Sequence, residues 1–153
     1  MIRLIDNIKI FEGLVNYLNN QIEKPWPALY EEIDLNKILN DQSIQTVNTL
    51  VFGFHSANNP VRISGGEYAQ VYRRVVINVY TSKGVNGVID GDAYCSKIEK
   101  CFGDLYNTEL IDNSGGCLYV LNNQELGSYH KSGKTKQGIQ TYTLEFLLTI
   151  DNI

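Results

Sequence analysis

A change from a two-residue to a helical periodicity between Tyr68 and Leu105 is the feature that most constrains how this chain can fold. Gln70–Tyr80 reads as a strand. One face of that strand carries Val71, Val75, Ile77 and Val79, and the other carries Tyr72, Val76 and Tyr80. Because both faces are partly apolar, we expect the strand inside a layered domain or under a neighbouring subunit, and the tyrosines favour the second.

A helix is predicted after a glycine-punctuated joint at Ser82–Gly91. The helical stripe consists of Tyr94, Ile98, Cys101 or Phe102, and Leu105. Asp90 and Asp92 stand where carboxylates favour the start of a helix, so they are predicted to cap it.

The remaining elements alternate with turn signals. An amphipathic helix is predicted at Ile2–Ile22, and it ends before Pro25 and Pro27. Strand patterns follow at Ala28–Leu35, which also fits an extended linker, and at Ser43–His55, Cys117–Leu121 and Gln140–Ile150, with Gln124–His130 extending or pairing with its predecessor. This order predicts a single α+β domain over residues 1–153, with a mainly antiparallel sheet and two helices packed on one face.

Length and charge limit the functional classes. The 153 residues are 43% hydrophobic and 20% charged, which is ordinary for a globular domain. A net charge of -4 argues against a general nucleic-acid binder. The sequence shows no secretory leader and no membrane span, so we expect synthesis in the cytoplasm and no membrane partner.

No metal or disulfide framework is predicted. Cys95, Cys101 and Cys117 are odd in number and lack a CxxC pair, so we interpret them as small buried apolar residues in a reducing compartment. Asp90-Gly91-Asp92 resembles the start of a calcium loop, but Cys101 stands where its terminal glutamate is required. We therefore expect no metal and no cofactor.

No catalytic constellation is found either. Ser132–Thr135 contains the Gly-Lys-Thr of a phosphate-binding loop, but Ser128 replaces its first glycine and a strand pattern follows in place of a helix. Neither His55 nor His130 lies beside a local nucleophile signature. We expect a protein that is not an enzyme.

Two sets of residues are candidates for partner contact. Lys131, Lys134 and Lys136 form the densest basic cluster, which is either a solvated hairpin tip or a loop that contacts an acidic partner or passing DNA. Aromatic and basic side chains near the central strand are candidates for a subunit interface, because tyrosine is also common at interfaces. These candidates are Trp26, Tyr72, Arg74 and Tyr80, whereas Tyr94 and Tyr142 are expected in the core.

The order of these elements resembles a known family. An N-terminal amphipathic helix, the strand Tyr72–Tyr80, a helix ending in Ile98–Leu105 and a long terminal strand Thr141–Ile150 are similar to the tail-terminator and minor capsid (tail completion) proteins of long-tailed bacteriophages. The resemblance covers nearly the whole chain and lies in element order, not in an invariant motif.

The resemblance implies a mechanical function. Such proteins form a ring, usually a hexamer, that caps the tail tube and joins tail to head. The implied partners are other copies of the chain, the tail-tube protein and the head connector, with DNA only passing through the ring. The implied location is the virion, and the host cytoplasm during assembly. Two alternatives stay open: a head-closure or connector protein of the phage neck, and a non-viral cytoplasmic ligand-binding module.

Overall fold

The computed structural model describes residues 7–31, 48–56, 61–62, 68–105, 108–111, 117–123, 128–134 and 139–151. Within them are two helices, α1 (Asn7–Gln21) and α2 (Gly84–Gly103). The strands are β1 (Ala28–Tyr30), β2 (Thr49–Ser56), β3 (Val61–Arg62), β4 (Tyr68–Lys83), β5 (Thr108–Ile111), β6 (Cys117–Asn123), β7 (Ser128–Lys134) and β8 (Ile139–Asp151).

The strands form one mainly antiparallel sheet. Its order is β1-β2-β4-β8-β6-β5, with β3 paired to β4 and β7 paired to β8. β1 runs parallel to β2, and the other described pairs are antiparallel. The long central pair β4–β8 extends in register from Gln70 opposite Asp151 to Lys83 opposite Ile139, with one irregularity near its end.

Alternation along the central strands places the core on one side of the sheet. On β4, Val75, Ile77 and Val79 are fully buried. On β8, Tyr142, Leu144, Phe146 and Leu148 are fully buried as well. The residues between them are half-buried. A period of two with one buried face is what an antiparallel sheet covered on one side requires, so the predicted alternation is confirmed.

Both helices pack on that buried side. From α1, the Phe11 ring stacks on Tyr30 and meets Phe52 edge to face, each with centroids 5.4 Å apart. From α2, the Phe102 ring stacks on Phe146 with centroids 4.0 Å apart. The predicted stripe of α2 is buried as expected. The α+β fold with two helices on one face of a mainly antiparallel sheet is therefore confirmed.

The glycine-punctuated joint is shorter than predicted. α2 begins at Gly84, directly after β4, so Asp90 and Asp92 lie inside the helix and are exposed. The capping prediction is wrong, because a cap acts at the first turn. Gly91 faces the sheet: a Cβ there would lie 2.5 Å from Tyr142 Cε2 and 2.7 Å from Thr81 Cγ2. Gly91 therefore allows α2 to pack closely against the sheet and does not form a turn.

Other boundaries shift by a few residues. α1 begins at Asn7 in the described part of the chain and ends at Gln21, one residue before the predicted Ile22. β2 begins at Thr49, and residues 43–47 of the predicted Ser43–His55 strand lie outside the described residues. Of the predicted Gln124–His130 segment, residues 124–127 lie outside the described residues, and its last three residues belong to β7, which continues to Lys134.

Candidate interaction surfaces

The sheet face opposite the helices, here called the outer face, is half-buried in the described part of the chain. It comprises Val51 of β2, the β4 residues Arg74, Val76, Asn78 and Tyr80, and the β8 residues Thr141, Thr143, Glu145 and Leu147. Val51 is only 3% exposed. Strand residues that face open water are usually polar. Here aliphatic and aromatic side chains share the face with charged ones, a composition also found in protein interfaces.

Polar contacts cross the outer face between its central strands. The Thr143 hydroxyl donates a hydrogen bond of 2.9 Å to Asn78 Oδ1, directly across the β4–β8 pair. Val76 lies opposite Glu145, and Arg74 lies opposite Leu147. Two of these cross-strand pairs therefore join an apolar side chain to a charged one, which suits a partner surface of mixed character.

Tyr80 and Arg74 lie on the outer face, as the strand pattern predicts. Tyr80 is half-buried, and burial raises the pKa of its hydroxyl, with the negative charge of Glu31 adding to the effect. Arg74 is also half-buried. Tyr72 lies in β4 opposite Thr149, and its side chain is outside the described residues. Their role in a subunit interface stays a prediction.

Trp26 is held by α2. Its ring stacks on Tyr94 with centroids 4.0 Å apart and planes 9° apart. Its backbone N–H donates a 2.8 Å hydrogen bond to the Tyr94 hydroxyl. One ring face of Trp26 is thus used within the chain, while the residue as a whole stays half-buried. Tyr94, at 3% exposure, is a core residue as predicted.

The basic cluster is divided between a strand and residues outside the described ones. Lys131 and Lys134 belong to β7, where Lys131 pairs with Tyr142 and Lys134 with Gln140 of β8. The prediction that the basic cluster lies in a hairpin tip or loop is therefore wrong for Lys131 and Lys134. Glycine and serine in Ser132–Gly133 read as turn signals, but pairing with the long β8 continues the strand through them. Lys136 lies outside the described residues.

Cys95 and Cys101 are buried, and their thiols are expected to be unreactive at neutral pH. Cys95 and Cys101 are free thiols at 0% and 8% exposure. Burial, with smaller contributions from Asp92 and Glu99, raises the pKa of Cys95 to about 12. A thiol with such a pKa is a poor nucleophile at neutral pH. The prediction of small buried apolar residues is confirmed for these two, while the side chain of Cys117 is not among the described ones.

The described residues contain no group of three or more His, Cys, Asp or Glu side chains that could hold a metal ion. Neither described helix is long and apolar enough to cross a lipid bilayer.

A cleft lies between the C-terminal ends of the two helices. Its volume is ≈ 320 Å³. From the end of α1 it is lined by Gln21, Ile22 and Glu23, and from α2 by Lys97, Lys100, Cys101 and Asp104. Close by, the Tyr17 hydroxyl donates a 2.7 Å hydrogen bond to the Cys101 carbonyl, linking the helices. Two lysines and two carboxylates balance in this cleft, so its charge does not select one class of ligand.

The comparisons with known proteins bear on the fold alone. No protein-family model matches the sequence, and no curated protein matches it. One solved structure, of a protein whose name states no function, is similar with a TM-score of 0.57 and 10% sequence identity. The similarity covers 95% of this chain and 93% of that chain. At this identity the likeness shows a shared α+β architecture over nearly the whole chain.

Sequence reasoning missed two features of these surfaces. Val51 lies on the outer face but is buried, at 3% exposure, whereas strict alternation along β2 would leave it more accessible. Glu31 follows β1 directly and lies close enough to Tyr80 to affect its pKa.

Proposed function

We propose that this chain is a structural protein of a long-tailed bacteriophage virion, a tail terminator that caps the tail tube as a ring and joins tail to head. The observation that carries the proposal is the half-buried outer face of mixed apolar and charged residues, on a sheet whose other face is already filled by its own helices. A surface of this kind suits contact with copies of the same chain or with other virion proteins.

The order of elements adds support. An N-terminal helix, a long strand leading directly into a second helix, and a long final strand are all present, as in the family that the sequence resembles. In this proposal the outer face and its tyrosines take part in ring contacts. The chain contributes shape and contact surface, and no catalytic residue is assigned.

The test is the native mass of the protein over a range of concentrations, followed by electron microscopy with tubes of the tail-tube protein from the same genome. We expect rings, or monomers that form rings on tube ends. Arg74→Ser combined with Tyr80→Ser should weaken ring formation while the monomer keeps its fold. Lys97→Ser, an exposed change on the helix side, is the control. A strict monomer that ignores tube ends would refute the proposal, and rings that bind only the connector would favour the head-closure role.

A ligand-binding module is the second candidate, because the ≈ 320 Å³ cleft between the helix ends falls at the lower end of the size range of small-molecule sites. Lys97→Glu with Lys100→Glu replaces both lysines of that cleft, whose charges are balanced in the wild type, and makes the cleft acidic. Under the virion proposal this double variant still forms rings and caps tubes. A monomeric protein whose thermal stability rises with a small molecule, and loses that rise in the double variant, would favour the module.

A further inference from the structure

The outer face is not equally accessible across its width. On β2, Val51 is 3% exposed, and Gly53, which faces the same way two residues later, is buried as well. On β4 and β8, the described residues of this face are only half-buried, Val76 and Leu147 among them. A glycine inside a strand often marks the close approach of another part of a chain. These exposures are those of a single copy, so the atoms that cover Val51 belong to the same chain.

The connection between β1 and β2 has two faces of the sheet available to it. β1 and β2 are adjacent and parallel. Parallel neighbours are joined by a crossover of a dozen or more residues, which returns the chain to the start of the second strand. β1 ends at Tyr30 and β2 begins at Thr49, and residues 32–47 between them lie outside the described residues. The segment is long enough for such a crossover.

The helix-covered face is already occupied at these two strands. The Phe11 ring of α1 lies against Tyr30 of β1 and Phe52 of β2, with centroids 5.4 Å apart in each pair. Leu50 and Phe52 are 1% and 0% exposed on that side. A crossover on this face would have to displace α1, whereas the outer face of β1 and β2 carries no described helix or strand.

The handedness of the connection favours the same face. Leu50, whose side chain faces the helices, donates its N–H to the Pro27 carbonyl at 2.8 Å, so its backbone groups point toward β1. In a strand of L-residues drawn upward, a residue whose side chain points to the viewer has its N–H on the right. β1 is therefore to the right of β2 from the helix side, and to the left from the outer side. Because such connections are right-handed in almost all cases, this one runs on the outer side.

We propose that residues 32–47 dock on the β1–β2 part of the outer face, over Val51 and Gly53. The segment supplies apolar side chains for this contact, namely Ile33, Leu35, Ile38, Leu39, Ile44 and Val47. Copies of the chain then meet through the β4–β8 part alone, where Arg74 and Glu145 offer both charges to a second copy. This last step rests on the proposed function, whereas the docking within the chain does not.

Photo-cross-linking tests the docking directly. Leu29, a half-buried residue of β1 beside Val51, is replaced by p-benzoylphenylalanine. After irradiation at a concentration where the protein is monomeric, this variant should show cross-links to peptides within residues 32–47. The matched variant carries the same residue in place of Leu147. It should link isotope-labelled to unlabelled copies once the protein assembles, and should not link to residues 32–47.

A reverse placement keeps the test decisive if the Leu29 variant does not fold. Lys37 is a polar position within the connecting segment, and it is replaced by the same cross-linking residue. Cross-links from position 37 to β2 or β4 support the docking. Cross-links from position 37 to α1 place the connection on the helix side and overturn it. Cross-links from position 29 that omit residues 32–47 overturn it as well.

Stability and assembly provide a second measurement. Val51→Ala should lower the thermal midpoint of the monomer by about 5 °C, because the side chain is covered within the chain. It should leave the concentration of half-assembly unchanged. Leu147→Ser should raise the concentration of half-assembly by about tenfold, with a smaller shift in the midpoint. A Val51→Ala variant that weakens assembly as strongly as Leu147→Ser overturns the division of the face.

The outcomes distinguish this inference from the proposed function. Cross-links from position 29 to residues 32–47, in a protein that neither forms rings nor caps tubes, support the docking and overturn the tail-terminator proposal. Rings that cap tubes, without those cross-links, overturn the docking and leave the tail-terminator proposal standing. Cross-links from position 147 to residues 32–47 of the same copy show that the segment also covers the β4–β8 part, and overturn the assignment of that part to a second copy.

Discussion

The two faces of the sheet use the same strands in different ways. On β8, Leu148 faces the helices and is fully buried, while its neighbour Leu147 faces the other way and is half-buried. On β4, Ile77 and Val76 show the same contrast. The chain's own helices bury one face of the sheet, whereas the apolar side chains of the outer face stay partly accessible. Under the proposed function, substitutions on the helix-covered face should change stability, and substitutions on the outer face should change contact with partners.

The largest expected difference comes from the same substitution at adjacent positions. Leu148→Ala removes a fully buried side chain and should lower the free energy of unfolding by about 2–5 kcal/mol. Leu147→Ala, at a half-buried position, should cost about 1 kcal/mol. Urea unfolding at a concentration where the protein is monomeric measures both. Equal losses would mean that the outer face is packed within the monomer as tightly as the core.

A second pair compares two glycines of α2. Gly91→Ala places a methyl group against Tyr142 and Thr81 and should destabilise the fold by about 1–3 kcal/mol, as overpacking does. Gly103→Ala meets no heavy atom within 4 Å and should stay within about 1 kcal/mol of the wild type, in the stabilising direction. The shift in thermal midpoint of the two variants reports the difference. If Gly91→Ala were neutral, α2 would have room to move away from the sheet.

The sequence predicts most of this fold because its core positions follow simple periods. Alternation in Gln70–Tyr80 and Gln140–Ile150 identifies the two strands that pair at the centre of the sheet, and the stripe ending at Leu105 identifies the buried side of α2. These patterns depend on one physical rule: side-chain direction repeats every 3.6 residues along a helix and every two residues along a strand, so spacing in the sequence shows which residues lie on the same face. The same rule does not show which strands pair with each other. The order of the strands in the sheet depends on contacts between residues far apart in sequence.

The errors arise where local signals have two physical meanings. Glycine predicts a turn, but at Gly91 it allows a helix to approach Tyr142. Aspartate predicts a helix start, but Asp90 lies on the exposed side of α2. Glycine at position 133 predicts a loop, but pairing with Thr141 keeps it in β7. In each case tertiary packing overrides the local preference, so only the arrangement of the sheet distinguishes the two meanings.

A smaller effect is expected when one hydroxyl is removed from each side of the sheet. Tyr94→Phe removes the acceptor of the Trp26 N–H bond and should cost about 1 kcal/mol. Tyr80→Phe, on the outer face, should change the monomer by about 0.5 kcal/mol or less. Because the chain has one tryptophan, its fluorescence follows unfolding and also reports the environment of the Trp26–Tyr94 stack. An unchanged stability in Tyr94→Phe would show that water replaces the lost acceptor.

The last prediction concerns the free energy of unfolding in alkaline solution, and no change is expected at neutral pH. Burial, aided by Cys101 and Asp104, raises the pKa of Tyr17 to about 12, and burial, aided by Asp92 and Cys95, raises that of Tyr142 to about 12. An unfolded tyrosine titrates near pH 10. Between these values the folded state holds tyrosine protons that the unfolded state has released, so these two hydroxyls should lower the free energy of unfolding as the pH rises from about 10 toward 12. The Cys95 thiol, whose pKa burial also raises to about 12, should add a loss that begins lower, near the ordinary thiol pKa of about 8.5.

Unfolding in urea at pH 8, 10, 11 and 12 measures this slope. The variant Tyr17→Phe with Tyr142→Phe should lose much of it, although its stability at pH 8 is also lowered by the missing hydrogen bonds to Cys101 and Val88. Only the difference between the pH values is diagnostic, because each hydrogen bond contributes equally to stability at every pH where its tyrosine is protonated. A double variant with the slope of the wild type would show that other groups cause the alkaline loss, and that these two hydroxyls reach water more easily than their buried positions imply.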